Sequence, residues 1–274
     1  FEQDLLLKGI PEIKWMQHSY RDRFFADPFI LNITNDEIKV VVEDFEYQRW
    51  KGSIALLSID RKTLELKSRK IILELDTHLS FPFIFRRNED ELFIIPENSA
   101  NGSLWAYQFE TASETVKKVS ILTDMPVIDP VIHYANGYYY LFGSLRDREE
   151  NANLYAWRSS DPLKGYSLLS EHPVKTDISS ARRGGGFFTT DDGLYSATQY
   201  CKNKYGEALN ICKCTISPTG ELSENIVSTL KAHPQFPYGL HTLNIHQGLC
   251  VVDGLKYLFN PVGKIRGMIR KYLR

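Results

Sequence analysis

Five times along the chain, a short apolar run, a polar turn and a second apolar or aromatic run follow one another. "DPFILNITNDEIKVVVEDF" begins at Asp27, "FPFIFRRNEDELFIIPENS" at Phe81, "DPVIHYANGYYYLFGSL" at Asp129, "GGFFTTDDGLYSATQYC" at Gly185 and "HTLNIHQGLCVVDGL" at His241. The turns are Asn35-Asp36, Asn88-Glu89-Asp90, Asn136-Gly137, Asp192-Gly193 and Gln247-Gly248. Asn-Gly and Asp-Gly pairs accept the positive φ that tight hairpins require, so each unit reads as a β-hairpin. The units recur at about 50 to 60 residues, the size of a propeller blade.

A third strand follows most hairpins, from Gly52, Gly102, Ala152 and Glu207, and a fourth follows several, from Lys67, Val116 and Gly165. Four antiparallel strands repeated five times predict an all-β fold. The expectation is a single five-bladed β-propeller of four-stranded antiparallel blades over residues 1–274, with blades starting near 27, 81, 129, 185 and 241. The fifth repeat runs short. Residues Glu12 to Ser19 are expected to supply an outer strand that closes the ring, because an open ring would expose strand edges and an apolar blade face.

One segment departs from the β pattern. Ile265, Met268, Ile269 and Leu273 fall on a single helical stripe among Lys and Arg, which predicts a short basic C-terminal helix over 262–274. Such a helix either packs on the propeller or makes peripheral contact with an anionic membrane surface.

Composition removes several function classes. Hydrophobic residues make up 43% and aromatics 12%, ample for a large core. A formal net charge of −1 argues against nucleic acid as the partner. Four cysteines, Cys201, Cys212, Cys214 and Cys250, match no zinc spacing and read as reduced thiols. With no export segment or transmembrane run in view, the expectation is a cytoplasmic protein, membrane-associated only through the basic helix. The repeats lack the Trp-Asp signature and the 40–45-residue period of protein-binding WD propellers.

In a propeller, the innermost strands line a central channel and their ends converge on one funnel. Asp27 and Asp129 stand in matching Asp-Pro pairs at inner-strand starts. Glu43 and Glu97 end the second strands of the first two repeats. Together these four carboxylates form a candidate catalytic group. Arg182 and Arg183 precede a run of glycines in the fourth repeat, where guanidiniums could grip a carboxylate or phosphate. Gln199, Tyr205 and His241 could add hydrogen bonds and ring contacts to a sugar. The expected ligand is a glycan or sugar phosphate, with no cofactor and no assigned metal site.

The motifs "ADPF" and "IDPVIHYANGYYYLFGS", set in five repeats, resemble glycoside hydrolase family 43 and its relatives. That resemblance implies Asp27 as general base and Asp129 as the residue that tunes and orients the acid. It also implies a general-acid Glu in the fourth blade, where this chain reads "SARRGGGFF" without a carboxylate. A closer resemblance, from about Phe24 to Gly254, rests on "FADPF", "VVEDF", "IIPENS", "DMPVIDPVI", "ARRGGGFF", "QYCKNKYG" and "VVDG". Those segments look like the propeller domain of the glucosamine inositolphosphorylceramide transferase type, with bacterial relatives in surface-polysaccharide systems. This implies a carbohydrate-active propeller that acts on or recognises a glycan, or a non-catalytic glycan-binding accessory domain.

Overall fold

The computed structural model describes residues 12–88 and 90–257. The expected C-terminal helix therefore lies outside the described residues. Blade one is formed by β1 (Arg23–Ile33), β2 (Glu37–Glu46), β3 (Lys51–Asp60) and β4 (Leu66–Leu73), hydrogen-bonded in that order. Blade two follows with β5 (Ser80–Arg86), β6 (Leu92–Glu97), β7 (Leu104–Glu110) and β8 (Thr115–Thr123). In blade three, β9 (Val127–Ala135), β10 (Tyr138–Leu145) and β11 (Asn153–Ser159) are regular. Its outer edge is split between two short strands, β12 (Ser167–Leu168) and β13 (Lys175–Thr176), which both pair with β11. Blade four comprises β14 (Arg183–Thr190), β15 (Gly193–Tyr200), β16 (Ala208–Ile216) and β17 (Leu222–Lys231). The fold is thus an all-β propeller of four-stranded antiparallel blades.

The last repeat corrects the expectation of five such blades. Among the described residues it forms only a two-stranded sheet, β18 (Leu243–His246) with β19 (Leu249–Val252). Residues Glu12 to Ser19 do not add a regular strand to it. Gln17 makes one parallel bridge beside β4, while Trp15 packs on Phe236 and Ile13 joins the apolar layer between blade four and the last sheet. Met16 packs with Leu249 and Val251 against Ile30, Val40 and Val42 of blade one. The segment therefore covers the gap with side chains rather than with a hydrogen-bonded ladder.

The third strands explain the apolar runs of the sequence. β3 is buried along almost its whole length, because neighbouring blades cover both faces of each sheet. Outer strands are the reverse: β4 and β8 carry exposed Lys, at Lys67, Lys70, Lys117 and Lys118, which discourages edge-to-edge association. The Asn136-Gly137 and Gln247-Gly248 turns have positive φ at both residues, as the hairpin reading required. All four cysteines are free and buried. No helix among the described residues is long and apolar enough to cross a membrane.

Candidate functional site

A repeated backbone device builds the site. Asp27, Phe81 and Asp129 have φ of 50°, 39° and 48°, and each is followed by proline. At each place the inner strand slips register against its neighbour, as a β-bulge does. Proline lacks the N–H that a regular ladder would need, so it suits the unpaired bulge. The backbone turn takes the residue before proline out of the regular ladder; Asp27 and Asp129 thereby meet His241 and Arg182, while Phe81 packs into the core on Phe29. In blade four the bulge falls at Gly185, with φ of 152°. A Cβ there would overlap the Leu243 carbonyl, so the position that matches Asp27 and Asp129 carries no side chain. The Arg182-Arg183 pair lies just before this place rather than on it.

Second strands deliver the other carboxyls. Glu43 pairs with Ala26, the residue before the first bulge, and Glu97 pairs with Ser80, the residue before the second. The two glutamates therefore occupy matching register positions. Asp253 directly follows Val252, which ends the last sheet opposite Leu243.

On one side of the funnel stand Asp27, His241 and Asp253. Asp27 Oδ1 accepts the Thr242 hydroxyl at 2.7 Å and lies 3.3 Å from His241 Nε2. Its Oδ2 accepts the Phe81 N–H at 3.1 Å. Asp253 lies 2.8 Å from His241 Nδ1 and accepts the N–H groups of His241, Thr242 and Asp27. Burial opposes the imidazolium, but Asp253, with Asp27 beyond it, outweighs that and holds His241 up at about 10. The His241 imidazolium and the His241 and Thr242 N–H groups keep Asp253 low despite its burial. Burial pushes Asp27 the other way, upward.

Across the axis stand Asp129, Glu97 and Arg182. Arg182 Nε donates to Asp129 Oδ2 at 2.7 Å, and its Nη1 donates to Asn151 at 2.8 Å. The guanidinium sits over the Tyr205 ring, 4.7 Å from its centroid. Gln199 is fully buried and donates to both Asp129 Oδ2 and the Arg183 carbonyl, so it positions the aspartate. Glu97 accepts the Asp129 N–H and the Ser99 hydroxyl. Burial, then the Asp129 charge, push Glu97 up to about 8. Glu43 is raised well above the usual carboxylate range by burial and by the nearby charge of Asp27. Tyr205 is half exposed at the mouth, with its ring edge-on to His241 at 5.4 Å.

Most of the sequence-predicted site residues are thus brought together. Arg183 is the exception. It is fully buried within blade four and makes a two-pronged ion pair with Glu224 at 2.7 and 2.8 Å. Lys175 and the Ser196 hydroxyl complete that cluster. Sequence reasoning missed Asp253, Thr242, Asn151 and Ser99. Asp253 left a trace: "VVDG" ends a second strand in an acid, as "VVED" and "IIPE" do.

Chemically, the funnel offers acceptors fixed by internal partners on Asp27 and Asp129, carboxyls on Asp27, Glu43 and Glu97 that burial pushes upward, and two cations. Asp27, His241 and Asp253 also present ligand atoms within 4.8 Å of one another, a spacing compatible with a cation. The imidazole nitrogens, however, are already engaged by the two carboxylates.

Comparison with solved structures shows the fold. A β-xylosidase, RS223, superposes with a TM-score of 0.59 at 12% identity, covering 88% of this chain and 94% of its own. Zg3597, a family 117 glycoside hydrolase from Zobellia galactanivorans, gives a TM-score of 0.58 at 12% identity, over 81% and 75% of the two chains. A GH43_1 enzyme from Xanthomonas citri gives 0.54 at 11%, over 84% and 81%. In sequence, the chain is 31% identical over 207 residues to glucosamine inositolphosphorylceramide transferase 1 of Arabidopsis thaliana, 73% of this chain and 27% of that protein. The Oryza sativa subsp. japonica counterpart is 31% identical over 201 residues, 71% and 26%. The chain thus spans about a quarter of the length of these relatives. Residues 13–235 match the family described as glucosamine inositolphosphorylceramide transferase 1, N-terminal, and the chain belongs to that family of propeller domains.

Proposed function

We propose that the axial funnel is a glycan-binding site, and that this domain recognises the sugar of a glycoconjugate within a glycosyl-transfer system of surface-polysaccharide type. In this reading the last two-stranded sheet counts as a fifth, incomplete blade, and the funnel is the axis of a five-membered ring. One observation carries the proposal: both funnel aspartates already hold fixed internal partners. Asp27 is tied to Thr242, the Phe81 N–H and His241, and Asp129 to Arg182 and Gln199. Acceptors so fixed suit hydroxyl recognition, where preorganisation lowers the cost of binding. The glycine in blade four supports the same reading, because family-43 chemistry would place a carboxyl acid in that blade.

The funnel gathers five carboxyls, on Asp27, Glu43, Glu97, Asp129 and Asp253, around one arginine and one histidine. Glu43 and Glu97 are held toward the neutral form, which leaves Asp27, Asp129 and Asp253 facing two cations and favours a sugar bearing hydroxyls or an amine over one bearing a phosphate. It agrees with the glucosamine in the relatives' name. The test is calorimetric titration of glucosamine, N-acetylglucosamine and glucosamine 6-phosphate. The amine should bind best, and Arg182→Ala should weaken the uncharged N-acetylglucosamine tenfold or more, since Asp129 loses the partner that fixes it. Preferential binding of the phosphate would contradict the acid-rich reading.

A second reading is favoured by Glu97. A carboxyl pushed up to about 8 is protonated at neutral pH and suits a general acid, with Asp27 as base and Asp129 as tuner. Turnover of an aryl glycoside that disappears in Asp27→Asn and falls off above pH 8 would select it.

A further inference from the structure

The hairpin loop between β2 and β3 places its largest side chain where the backbone least favours one. Trp50 closes the loop by donating its N–H to the Glu46 carbonyl at 2.8 Å, and its φ is 53°. Glycine or asparagine takes that conformation readily, whereas a bulky residue is strained. Burial does not compensate, because Trp50 is 68% exposed. The fold gains nothing visible from this tryptophan.

Around it lies an aromatic platform. Phe45 meets Trp50 edge-on at 5.3 Å and stacks on Phe24 at 4.8 Å with an interplanar angle of 9°. Tyr47 and Phe24 are both over a third exposed. The platform is continuous with the funnel. Phe24 and Phe45 form a cross-strand pair two residues along from the Ala26–Glu43 pair, on the same sheet face. His78 bridges the two, with its ring 5.9 Å from Phe45 and Nε2 3.6 Å from the Glu43 carboxyl.

We infer that the Phe24–Phe45–Trp50 platform is an extended subsite, which stacks the outer sugar rings of a glycan whose inner sugar sits in the funnel. This rests on the funnel being a glycan site. Flat exposed rings complement the C–H faces of sugars, and the surrounding charges supply hydrogen bonds to hydroxyls. The cations among them are already paired with carboxylates: Arg49 and Lys51 with Glu74, and Arg23 with both Asp22 and Asp44. A rim of that kind has no net attraction for anionic lipid, which weighs against a membrane as the occupant.

The experiment is an array of mono- to hexasaccharides, covering neutral, amino and acidic sugars, probed with the full chain. Wild type should bind tetramers at least tenfold more tightly than the matching monomer. Trp50→Ala should reduce that ratio tenfold or more, leave monomer affinity within twofold, and leave Tm unchanged or higher. Trp50→Phe should restore most of the ratio. An unchanged ratio in Trp50→Ala, with monomer still bound, overturns the platform alone. Absence of all sugar binding by wild type overturns the funnel reading and the platform together. Cosedimentation of wild type, but not Trp50→Ala, with phosphatidylcholine–phosphatidylserine vesicles would overturn it in favour of a lipid surface.

Discussion

Arg182 and Arg183 are neighbours in the chain and belong to two different regions. Arg183 points into blade four, where Glu224 matches it prong for prong and Lys175 and Ser196 fill the remaining positions. Arg182 points into the funnel, where it serves Asp129 and Asn151, and its Nη2 makes no hydrogen bond among the described residues. The first arrangement is closed: Arg183 and Glu224 are both fully buried and satisfy each other. The second is open, with more carboxyls than cations and a half-exposed tyrosine at the mouth. Buried ion pairs of the closed kind hold a fold because breaking them strands a charge. Open, under-neutralised ones are available to a ligand.

Breaking the closed cluster should give the largest effect. Arg183→Ala leaves the buried Glu224 carboxylate with Lys175 as its remaining cation and should cost about 3 kcal/mol, read as a large fall in the urea midpoint. Glu224 is held down at about 2 by Arg183 and Lys175 against its burial. Its stabilising contribution is therefore present above the ordinary glutamate range and lost as pH falls toward 2. Wild type should lose stability over that window, and an Arg183→Met/Glu224→Leu double variant should show less of the loss.

The funnel should behave with the opposite sign. Glu97 and His241 both bind protons more tightly in the folded state, up to about 8 and about 10. Stability should decline as pH rises from the ordinary glutamate value to about 8, and again from the ordinary histidine value to about 10. Glu97→Gln removes the first decline. It should raise Tm at pH 9 and change little at pH 5, as thermal melts at the two pH values would show. Asp253→Asn should lower the His241 titration midpoint followed by NMR, since it removes the nearest carboxylate.

The smallest expected effect on the fold comes at the platform. Trp50→Gly should stabilise by about 1 kcal/mol through relief of the positive φ, in thermal melts, while losing affinity for longer glycans. A stability gain without a functional loss would mean that the aromatic platform does not serve the ligand.

Much of this was legible in the sequence, for a physical reason. Hairpins write themselves as apolar runs around Asn-Gly-type turns, so blades and their order could be read. The Asp-Pro pairs marked the bulges, since proline at an inner-strand start breaks a ladder. The direction of a side chain was less legible. Arg182 and Arg183 look alike in "ARRGGGFF", yet one residue of offset turns one toward the axis and the other into the blade. The blade-four match was also hidden: its bulge falls on Gly185, because the Leu243 carbonyl fills the space a side chain would need. Asp253 ends the short fifth repeat, and no Asp-Pro pair marked it as Asp27 and Asp129 were marked. The outer edge of blade three split in two, which no pattern in "GYSLLSEHPV" announces.

The most direct test of the open funnel is one titration pair. N-acetylglucosamine would be titrated calorimetrically into wild type and Arg182→Ala, with Tm measured on both. A tenfold or greater loss of affinity, with a fall in Tm smaller than that of Arg183→Ala, is the expected result, since Asp129 keeps Gln199 as a partner when the funnel arginine is removed. Equal affinity in the two proteins, or a collapse of Tm like that expected for Arg183→Ala, would contradict the division between an open funnel and a closed blade interior.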